Sequence, residues 1–353
     1  LLARAPDAMP PLPPDPPALI QPAAAPCAAA TRARLLSPPT ADEAEFLLTC
    51  SLRLFPGDRV LKRIVIEGSA ASGLTLDCAG ARLGRPDETA HLGSYTIAIR
   101  SKPPARPGEG WDRPSGIRIR DCTVFGHVRI WGMGENGQGP LVRESSHSLG
   151  HTERAQAAAP TDVTITGTSI TAAGPIPLYL GPGVTRVTLR GSRLDGRSVS
   201  TALYLDAESA ENRIEDNDIE TETAREAIAV DGSARNRITG NRFTLRGQGG
   251  VRLYRNCGEG GTVRHQTPSD NVITDNVFRT GGWFAAAAIV VNSRNGWRLT
   301  CGEDAGYPFG SSIDNRDNGT GNVVTPNTVE RQPRGEGLRS AGRPRVDRGA
   351  GYP

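Results

Sequence analysis

The side chains best suited to chemistry gather between residues 206 and 265. Asp206, Asp231 and Tyr254 each come directly after a short apolar segment of the same form, and Arg255 and His265 follow soon after. Carboxylates, phenols and imidazoles transfer protons, and arginine stabilises developing negative charge. These five residues are therefore the candidate catalytic set.

The apolar segments before these residues align as the inward positions of successive strands. The aligned pairs are Val128/Ile130, Leu178/Leu180, Leu203/Leu205, Ile228/Val230, Val251/Leu253 and Ile289/Val291. Side chains alternate between the two faces of a strand, so the residues between and after each pair share the outward face. Asp206 and Asp231 would then lie on adjacent coils, one strand spacing of ~4.8 Å apart.

The outward positions form two columns that mix aromatic, cationic and acidic side chains. The first column is Arg129, Tyr179, Tyr204, Ala229, Arg252 and Val290, and the second is Trp131, Gly181, Asp206, Asp231, Tyr254 and Asn292. Aromatic surface suits sugar rings, and arginine pairs with uronate carboxylates. The columns and the nearby Glu208 and Glu226 therefore predict a groove that binds an extended sugar chain, with Arg129, Tyr179, Tyr204, Glu208, Glu226 and Arg252 as substrate-binding residues.

A purely structural role is the alternative for these acids, because aspartate is common in the turn after a strand. Two carboxylates ~5 Å apart repel each other, however, unless one is protonated, a cation binds, or arginine lies between them. Stability alone does not favour such a pair, so the cluster indicates chemistry. Asp206, Glu208 and Asp231 could hold a cation such as Ca²⁺, and no other cofactor is indicated.

Three insertions border the predicted groove. Residues 132–160 could fold over it as a lid or wall, or form a disordered surface loop. This insertion adds His151 and Arg154 to the predicted substrate-binding residues. The other two begin near Cys257 and Cys301, and a disulfide between these cysteines would tie both loops together beside the groove.

A repeat of the form Asn-x-apolar-x-x-Asn-x-apolar supports this arrangement. It occurs at residues 212–219, 236–243, 271–278 and 322–329. The first two copies begin 24 residues apart, and the larger spacings contain glycine-rich or polar insertions. A period in the twenties with short strands and tight turns suits one coil of a β-solenoid. The asparagines suit the turns, where they tolerate the left-handed conformation, and their amides can stack as a ladder.

In this repeat pattern the chain resembles the right-handed parallel β-helix proteins, which include pectate and alginate lyases, polygalacturonases and mannuronan C5-epimerases. The resemblance covers about residues 50–330, and residues 74–80 (LTLDCAG) are similar to an opening coil of that group. The Asp-Pro-His signature of the epimerases and the Gly-His-Gly segment of the polygalacturonases are absent. The resemblance therefore predicts a fold, without a subfamily whose site residues carry over.

The predicted fold is all-β, a single right-handed parallel β-helix with loop insertions over residues 46–330. Residues 1–45 are rich in alanine and proline and predict a flexible N-terminal segment. Residues 331–353, rich in arginine, glycine and proline, predict a flexible tail. A capped solenoid of this kind can be a monomer.

Two enzymatic reactions of a polysaccharide fit the cluster, and the first is β-elimination by a lyase or the related C5-epimerisation. In it Tyr254 or His265 removes the proton beside a uronate carboxylate, while Arg255, Arg252 or a bound cation neutralises the enolate. In the second, a glycoside hydrolase, Asp206 and Asp231 are the acid and the base or nucleophile. The sequence ranks the lyase or epimerase first, the hydrolase second and a non-catalytic glycan-binding envelope protein third.

Composition excludes some function classes and indicates a compartment. A net charge of +3, from 41 basic and 38 acidic residues, does not favour nucleic-acid binding. Six cysteines without a CxxC pair suggest disulfides, and hence a secreted or periplasmic bacterial protein. No apolar run reaches the ~18 residues of a transmembrane helix. No signal peptide is present in this chain, so we expect that an exported form has lost it.

Overall fold

The structure is a computed structural model, and it describes residues 21–86, 91, 93–106, 108–246, 249–281 and 287–331. The chain winds repeatedly through three parallel sheets, adding strands to each in turn. The first sheet contains Glu45–Leu47, Arg63–Glu67, Ile97–Arg100, Val128–Trp131, Leu178–Leu180, Leu203–Leu205, Glu226–Asp231, Gly249–Tyr254 and Ile289–Val290. This sheet carries the two columns predicted above.

The other two sheets complete each coil. The second sheet contains Leu52–Arg53, Thr75–Asp77, Arg118–Arg120, Thr164–Thr166, Thr188–Arg190, Arg213–Glu215, Arg237–Thr239 and Val272–Thr274. The third contains Arg59–Val60, Arg82–Leu83, Thr123–Phe125, Ser169–Gly174, Arg193–Ser198, Asp218–Ile219, Glu222–Thr223, Arg242–Leu245, Val277–Thr280 and Thr328–Arg331. The predicted parallel β-solenoid is confirmed.

The core is the column of apolar side chains inside the coils. Leu178 pairs with Leu203, Leu203 with Ile228, and Ile228 with Val251, and all four are fully buried. The predicted alignment of the inward pairs is therefore confirmed. Because Leu205 also pairs with Val230, Asp206 and Asp231 follow directly on neighbouring strands.

The predicted amide ladder is present inside the stack. The side chain of Asn217 donates to Asn241 at 2.9 Å, and that of Asn241 donates to Asn276 at 3.0 Å. The expectation that asparagine itself adopts the left-handed conformation is wrong. The residue before it does so, as at Asp216 and Asp275, because this turn aims the following amide inward.

Part of the predicted flexible N-terminal segment is ordered, which corrects that prediction for residues 21–45. Helix α1, Ala29–Leu36, packs its Leu35 into the core with no exposed surface. A Cys27–Cys50 disulfide ties the segment to the first coil. Alanine favours helix, and the first coil offers an apolar end that must be covered. Residues 1–20 and 332–353 lie outside the described residues, so those predictions stay untested.

The remaining helices are short and belong to the insertions. Helices α2, Pro140–Ser146, and α3, His151–Ala158, lie in the first insertion. Single 3₁₀ turns occur at Ser69–Ala71, Glu259–Gly261 and Gly310–Ser312. In the part of the chain that the structure describes, no helix is long and apolar enough to cross a membrane.

Candidate active site

Two tyrosine–carboxylate pairs occupy the outward face of the first sheet. The Tyr179 hydroxyl donates to Asp206, and the Tyr204 hydroxyl donates to Asp231 at 2.7 Å. Each tyrosine therefore donates a hydrogen bond to the carboxylate of the next coil and holds it in place. The two tyrosine rings stack with their centroids 5.3 Å apart, which fixes both hydroxyls.

Asp206 lies in an environment that favours its protonated form. Its residue is 2 % exposed, and burial raises the pKa of its carboxyl from 3.8 to about 6. The neighbouring negative charge of Asp231 raises this pKa further, whereas Arg264 and the Tyr179 hydroxyl oppose the rise. Asp206 therefore keeps its proton up to about pH 6, well above the range of an ordinary aspartate, which suits a general acid.

Asp231 is fully buried but surrounded by donors. Its Oδ1 accepts the backbone N–H of Asn256 at 2.8 Å, and its Oδ2 accepts the Asn256 amide at 2.7 Å. The Tyr204 hydroxyl is the third donor. These three hydrogen bonds hold the Asp231 carboxyl in one position beside Asp206.

Arg264 lies beside this pair, although its position in the sequence did not indicate a role there. Its side chain is 1 % exposed, with Nη1 3.6 Å from Asp206 Oδ1 and Nη2 3.8 Å from Glu259 Oε2. Both distances exceed hydrogen-bond length, and none of its three guanidinium nitrogens has a hydrogen-bond partner among the described residues. Buried guanidinium groups need acceptors, so hydroxyl groups of a ligand or water fit here. The only signal in the sequence was that neighbouring carboxylates require a nearby positive charge.

Gly137, in the first insertion, packs closely against the Arg264 guanidinium. A Cβ at residue 137 would lie 2.3–2.8 Å from atoms of the Arg264 guanidinium. We expect Gly137→Ala to lower the free energy of unfolding by ~1–3 kcal/mol, measured by urea denaturation, because the buried guanidinium must shift. Gly110→Ala is the matched control, since its Cβ would meet open space. Equal stability of the two variants would contradict this close packing.

Tyr254 does not have the surroundings of a general base. Its hydroxyl donates to Glu226 at 2.9 Å and accepts a hydrogen bond from Arg225 at 2.8 Å. Burial raises the pKa of this phenol, although Arg294 and Arg225 oppose the rise. Removal of its proton is therefore unfavourable near neutral pH.

Arg255 and His265 both serve to hold the loops. The Arg255 guanidinium donates to the carbonyls of Arg316, at 2.6 Å, and Asp314. The His265 Nε2 lies 2.7 Å from the Ser146 carbonyl, so that nitrogen carries the proton and donates. These contacts show that both residues tie the loops together, and the catalytic role predicted for them stays a prediction.

Glu208 also faces the loops, which corrects the predicted cation site. Its carboxylate accepts the Thr152 hydroxyl and the backbone N–H groups of His265, at 2.9 Å, and Gln266, at 3.1 Å. Throughout the described ranges, no group of three or more His, Cys, Asp or Glu residues could hold a metal ion. Asp206, Glu208 and Asp231 thus do not form a Ca²⁺ site, and Arg264 provides the positive charge near Asp206.

The first insertion is an ordered wall, not a disordered loop. The Gln156 amide donates to the Glu208 carbonyl at 2.9 Å, and Val263 N–H donates to Ser146 at 3.0 Å. His151 is buried against His265, and burial lowers its pKa to about 3. Arg154 donates to the carbonyls of Ser145, in α2, and Leu149, so it ties the two helices of this wall together. The predicted role of His151 and Arg154 in substrate binding stays a prediction.

The wall encloses the predicted groove instead of leaving it open. Tyr179 and Tyr204 are only 8 % exposed, and Arg129 covers Tyr179 with its guanidinium carbon 4.7 Å from the ring centroid. The second and third insertions are joined by the Cys257–Cys301 disulfide. Arg252 lies one coil beyond Ala229 in the first column. The carboxylate pair therefore lies just beneath the surface.

Residues 111–329 match a family model described as a right-handed β-helix region. The chain belongs to the right-handed β-helix family. This family match covers more than half of the chain and confirms the predicted handedness. It supplies the fold on which the site is built and leaves the reaction open.

The chain is also similar to several solved structures. DFA-IIIase from Arthrobacter chlorophenolicus A6, in complex with GF2, is 11% identical with a TM-score of 0.37, over 85% of this chain and 82% of that one. The enzymatically active domain of bacteriophage CBA120 tailspike protein 2 is 13% identical with a TM-score of 0.36, over 78% of this chain and 42% of that one. A variant of the periplasmic alginate epimerase AlgG is 10% identical with a TM-score of 0.28, over 83% and 78%. No curated protein matches the chain in sequence.

Proposed function

We propose that the protein is a glycoside hydrolase of an extended glycan, with Asp206 as the general acid and Asp231 as the base or nucleophile. The supporting observation is the pair of carboxylates on adjacent strands. Burial raises the pKa of Asp206 to about 6, and Asp231, on the next strand, accepts three hydrogen bonds that fix its position. Glycosidic-bond hydrolysis uses such a pair, one carboxyl that keeps its proton and a second one beside it.

In this mechanism Asp206 gives its proton to the glycosidic oxygen as the bond to the anomeric carbon breaks. Asp231 either takes a proton from the attacking water or attacks the anomeric carbon itself. In the first case proton exchange with solvent restores both groups, and in the second, water cleaves the glycosyl-enzyme bond. The Arg264 nitrogens, which lack acceptors, bind sugar hydroxyl groups beside the reacting bond.

Access to the enclosed pair requires the loops around Gly137 and Gly260 to separate. These loops lie close together, because a Cβ at Gly260 would be 2.9 Å from the Gln138 side chain. Glycines are suited to such a hinge, and closure after binding would exclude bulk water. The first insertion thus acts as the lid that the sequence suggested.

The lyase or epimerase reaction ranks second here, in contrast to its rank from the sequence. Its proposed bases are Tyr254, whose pKa is raised, and His265, whose Nε2 donates to a carbonyl. Arg255 is engaged with backbone carbonyls. These contacts favour hydrolysis, because the two carboxyls that it needs, Asp206 and Asp231, lie together, whereas the groups that elimination needs are already engaged with other partners.

Three disulfides support the proposal of an exported enzyme. Cys27–Cys50, Cys78–Cys122 and Cys257–Cys301 account for all six cysteines. Such bonds persist outside the reducing cytoplasm, in the periplasm or after secretion. Soluble or surface polysaccharides are the substrates within reach there.

The experiment that tests the reaction class is incubation with acidic and neutral polysaccharides, followed by two readouts. We expect new reducing ends without a rise in near-ultraviolet absorbance. A rise in absorbance on a uronate polymer would instead establish elimination. Asp206→Asn protein, purified in parallel, excludes a contaminating enzyme as the source of reducing ends.

The pH profile should report the proton on Asp206. We expect kcat/KM to fall as pH rises through about 6, because the acid loses its proton. The hydrogen bond from the Tyr179 hydroxyl lowers the pKa of Asp206, so Tyr179→Phe should move the alkaline limb to higher pH. An alkaline limb that stays in place in Tyr179→Phe would contradict the assignment of Asp206.

A further inference from the structure

Two arginines contact Tyr254, one coil beyond the carboxylate pair, and a third lies on the loop that carries one of them. The Arg294 guanidinium carbon lies 3.5 Å from the Tyr254 ring centroid, and Arg225 donates to the Tyr254 hydroxyl at 2.8 Å. Arg298 lies four residues after Arg294 on the same loop, and its carbonyl accepts the N–H of Cys301 at 3.3 Å. Positive charges gathered in this way repel each other unless an anion lies between them.

The protein itself balances only part of this charge. Glu226 pairs with Arg225 at 3.0 Å, and its side chain is 3 % exposed. In the segments that the structure describes, no carboxylate forms an ion pair with Arg294 or Arg298. The positive charge of Arg294 therefore remains available beside Tyr254, and Arg298 adds a second one on the same loop.

The backbone that carries these arginines is fixed by a buried carboxylate. Asp317 is fully buried and accepts the N–H groups of Arg294, at 2.9 Å, and Asn295, at 2.8 Å. The Cys257–Cys301 disulfide holds the far end of the same loop. Arginine side chains on such an anchored loop lose less entropy on binding than side chains on a mobile one.

Trp297 provides a second kind of contact on this loop. Its N–H donates to the Arg294 carbonyl at 2.9 Å, so both residues belong to one turn. The side chain is 89 % exposed, which is unusual for a tryptophan on an anchored loop. An indole beside guanidinium groups suits a sugar ring that carries a negative charge.

Tyr254, beside the arginines, lies along the stack from the two carboxylates, and this determines which part of a bound glycan would reach each of them. In the first sheet, Asp231 pairs with Tyr254 on one side. On the other side Leu205 pairs with Val230, so Asp206, which follows Leu205, lies beside Asp231. Asp206, Asp231 and Tyr254 therefore follow one another along the stack at ~4.8 Å intervals. A glycan that runs along the stack passes from the reacting bond to the arginines.

We propose that Arg294 and Arg298, with Arg225 and Trp297, form a subsite for an anionic sugar residue next to the cleaved bond. The subsite recognises a carboxylate or a sulfate group, and so the glycan is acidic. That the subsite lies next to the cleaved bond rests on the proposed function. Its binding chemistry is independent of whether the bond is hydrolysed.

The test is calorimetric titration of Asp206→Asn protein, which binds without cleaving, with three probes. The probes are oligogalacturonate, chondroitin sulfate oligosaccharide, and oligogalacturonate whose carboxyl groups have been reduced to alcohols. We expect at least one anionic probe to bind, the reduced probe to bind at least ~10-fold more weakly, and salt to weaken the anionic complex. The carboxylate and sulfate probes together distinguish which anion the subsite takes.

Variants in the same background locate the subsite. Arg294→Gln with Arg298→Gln should weaken the anionic probe at least ~10-fold, while the corresponding lysine pair keeps most of the affinity. Arg279→Gln is the control, since this arginine pairs with Glu330 on the third sheet. Unchanged affinity in the folded glutamine pair, or no binding of either anionic probe, would overturn the proposal. If the affinities change as expected but wild-type protein releases no reducing ends, the subsite stands and the hydrolase proposal fails.

Discussion

Replacement of Asp206 by asparagine is expected to lower the rate of glycan cleavage at least ~100-fold, because a general acid contributes about 10²–10⁴ to such a reaction. Asparagine keeps the shape of the side chain but cannot give up a proton. The measurement is kcat/KM from reducing ends on the best glycan of the panel. Because the shape of the side chain is kept, the glycan should bind as before and only the bond-breaking step should slow. The products of any residual activity should therefore be the same as those of the wild-type protein.

The same variant should remain folded, and the sign of the pKa shift explains why. The folded-state pKa of Asp206, about 6, is raised above its ordinary value of 3.8. The folded protein therefore binds more protons between these values, so this group favours folding most at low pH and that contribution is lost as pH rises to about 6. Asparagine avoids burial of a charge at pH 7, and urea unfolding should show no loss of stability there.

Asp218→Asn is the matched control for the activity measurement. This aspartate lies on the third sheet, away from the candidate site, and pairs with Arg242 at 2.6 Å near the surface. Surface ion pairs contribute ~0–1 kcal/mol, so the variant should keep wild-type activity and stability. Full activity in Asp206→Asn would remove the basis of the proposed mechanism.

Replacement of Asn241 by alanine is expected to cause the largest loss of stability. The Asn241 side chain accepts two hydrogen bonds from Asn217 and donates to Asn276 at 3.0 Å and to the Ile214 carbonyl at 2.7 Å. Each buried partner left unpaired costs about 1–3 kcal/mol. We expect a loss of ~3–5 kcal/mol in the free energy of unfolding, measured with urea.

Asn315→Ala controls for the loss of an asparagine side chain as such, since Asn315 is exposed. Its free energy of unfolding should change by less than ~0.5 kcal/mol. A similar small change in Asn241→Ala would show that the amide ladder does not stabilise the solenoid. Disruption of one coil should also expose its neighbours, because each coil is stabilised by those beside it.

The fold was predictable because its determinants repeat. Inward apolar residues such as Leu203 and Ile228 recur at coil length, and the asparagine ladder marks the turns with a chemically distinctive residue. A parallel register then follows from aligning these positions. The same alignment predicted that Asp206 and Asp231 lie on neighbouring strands.

The surroundings of the pair were not predictable, because they come from segments that do not repeat. Arg264 and Asn256 lie in an insertion, where no periodic pattern gives the direction of a side chain. For the same reason, Glu208 and His265 were assigned to a metal site and to catalysis from their position in the sequence. The structure shows them holding the insertions together. The helix at Ala29–Leu36 was not predicted, because its eight residues, which favour helix, lie within a segment that is otherwise rich in proline.

Cleavage in heavy-oxygen water, followed by mass spectrometry of the products, distinguishes hydrolysis from elimination. Hydrolysis transfers the oxygen of water to one of the two products, and we expect a single heavy oxygen at the newly formed reducing end. Products that carry an unsaturated bond and no heavy oxygen would show elimination, and would contradict the roles of Asp206 as acid and Asp231 as base or nucleophile.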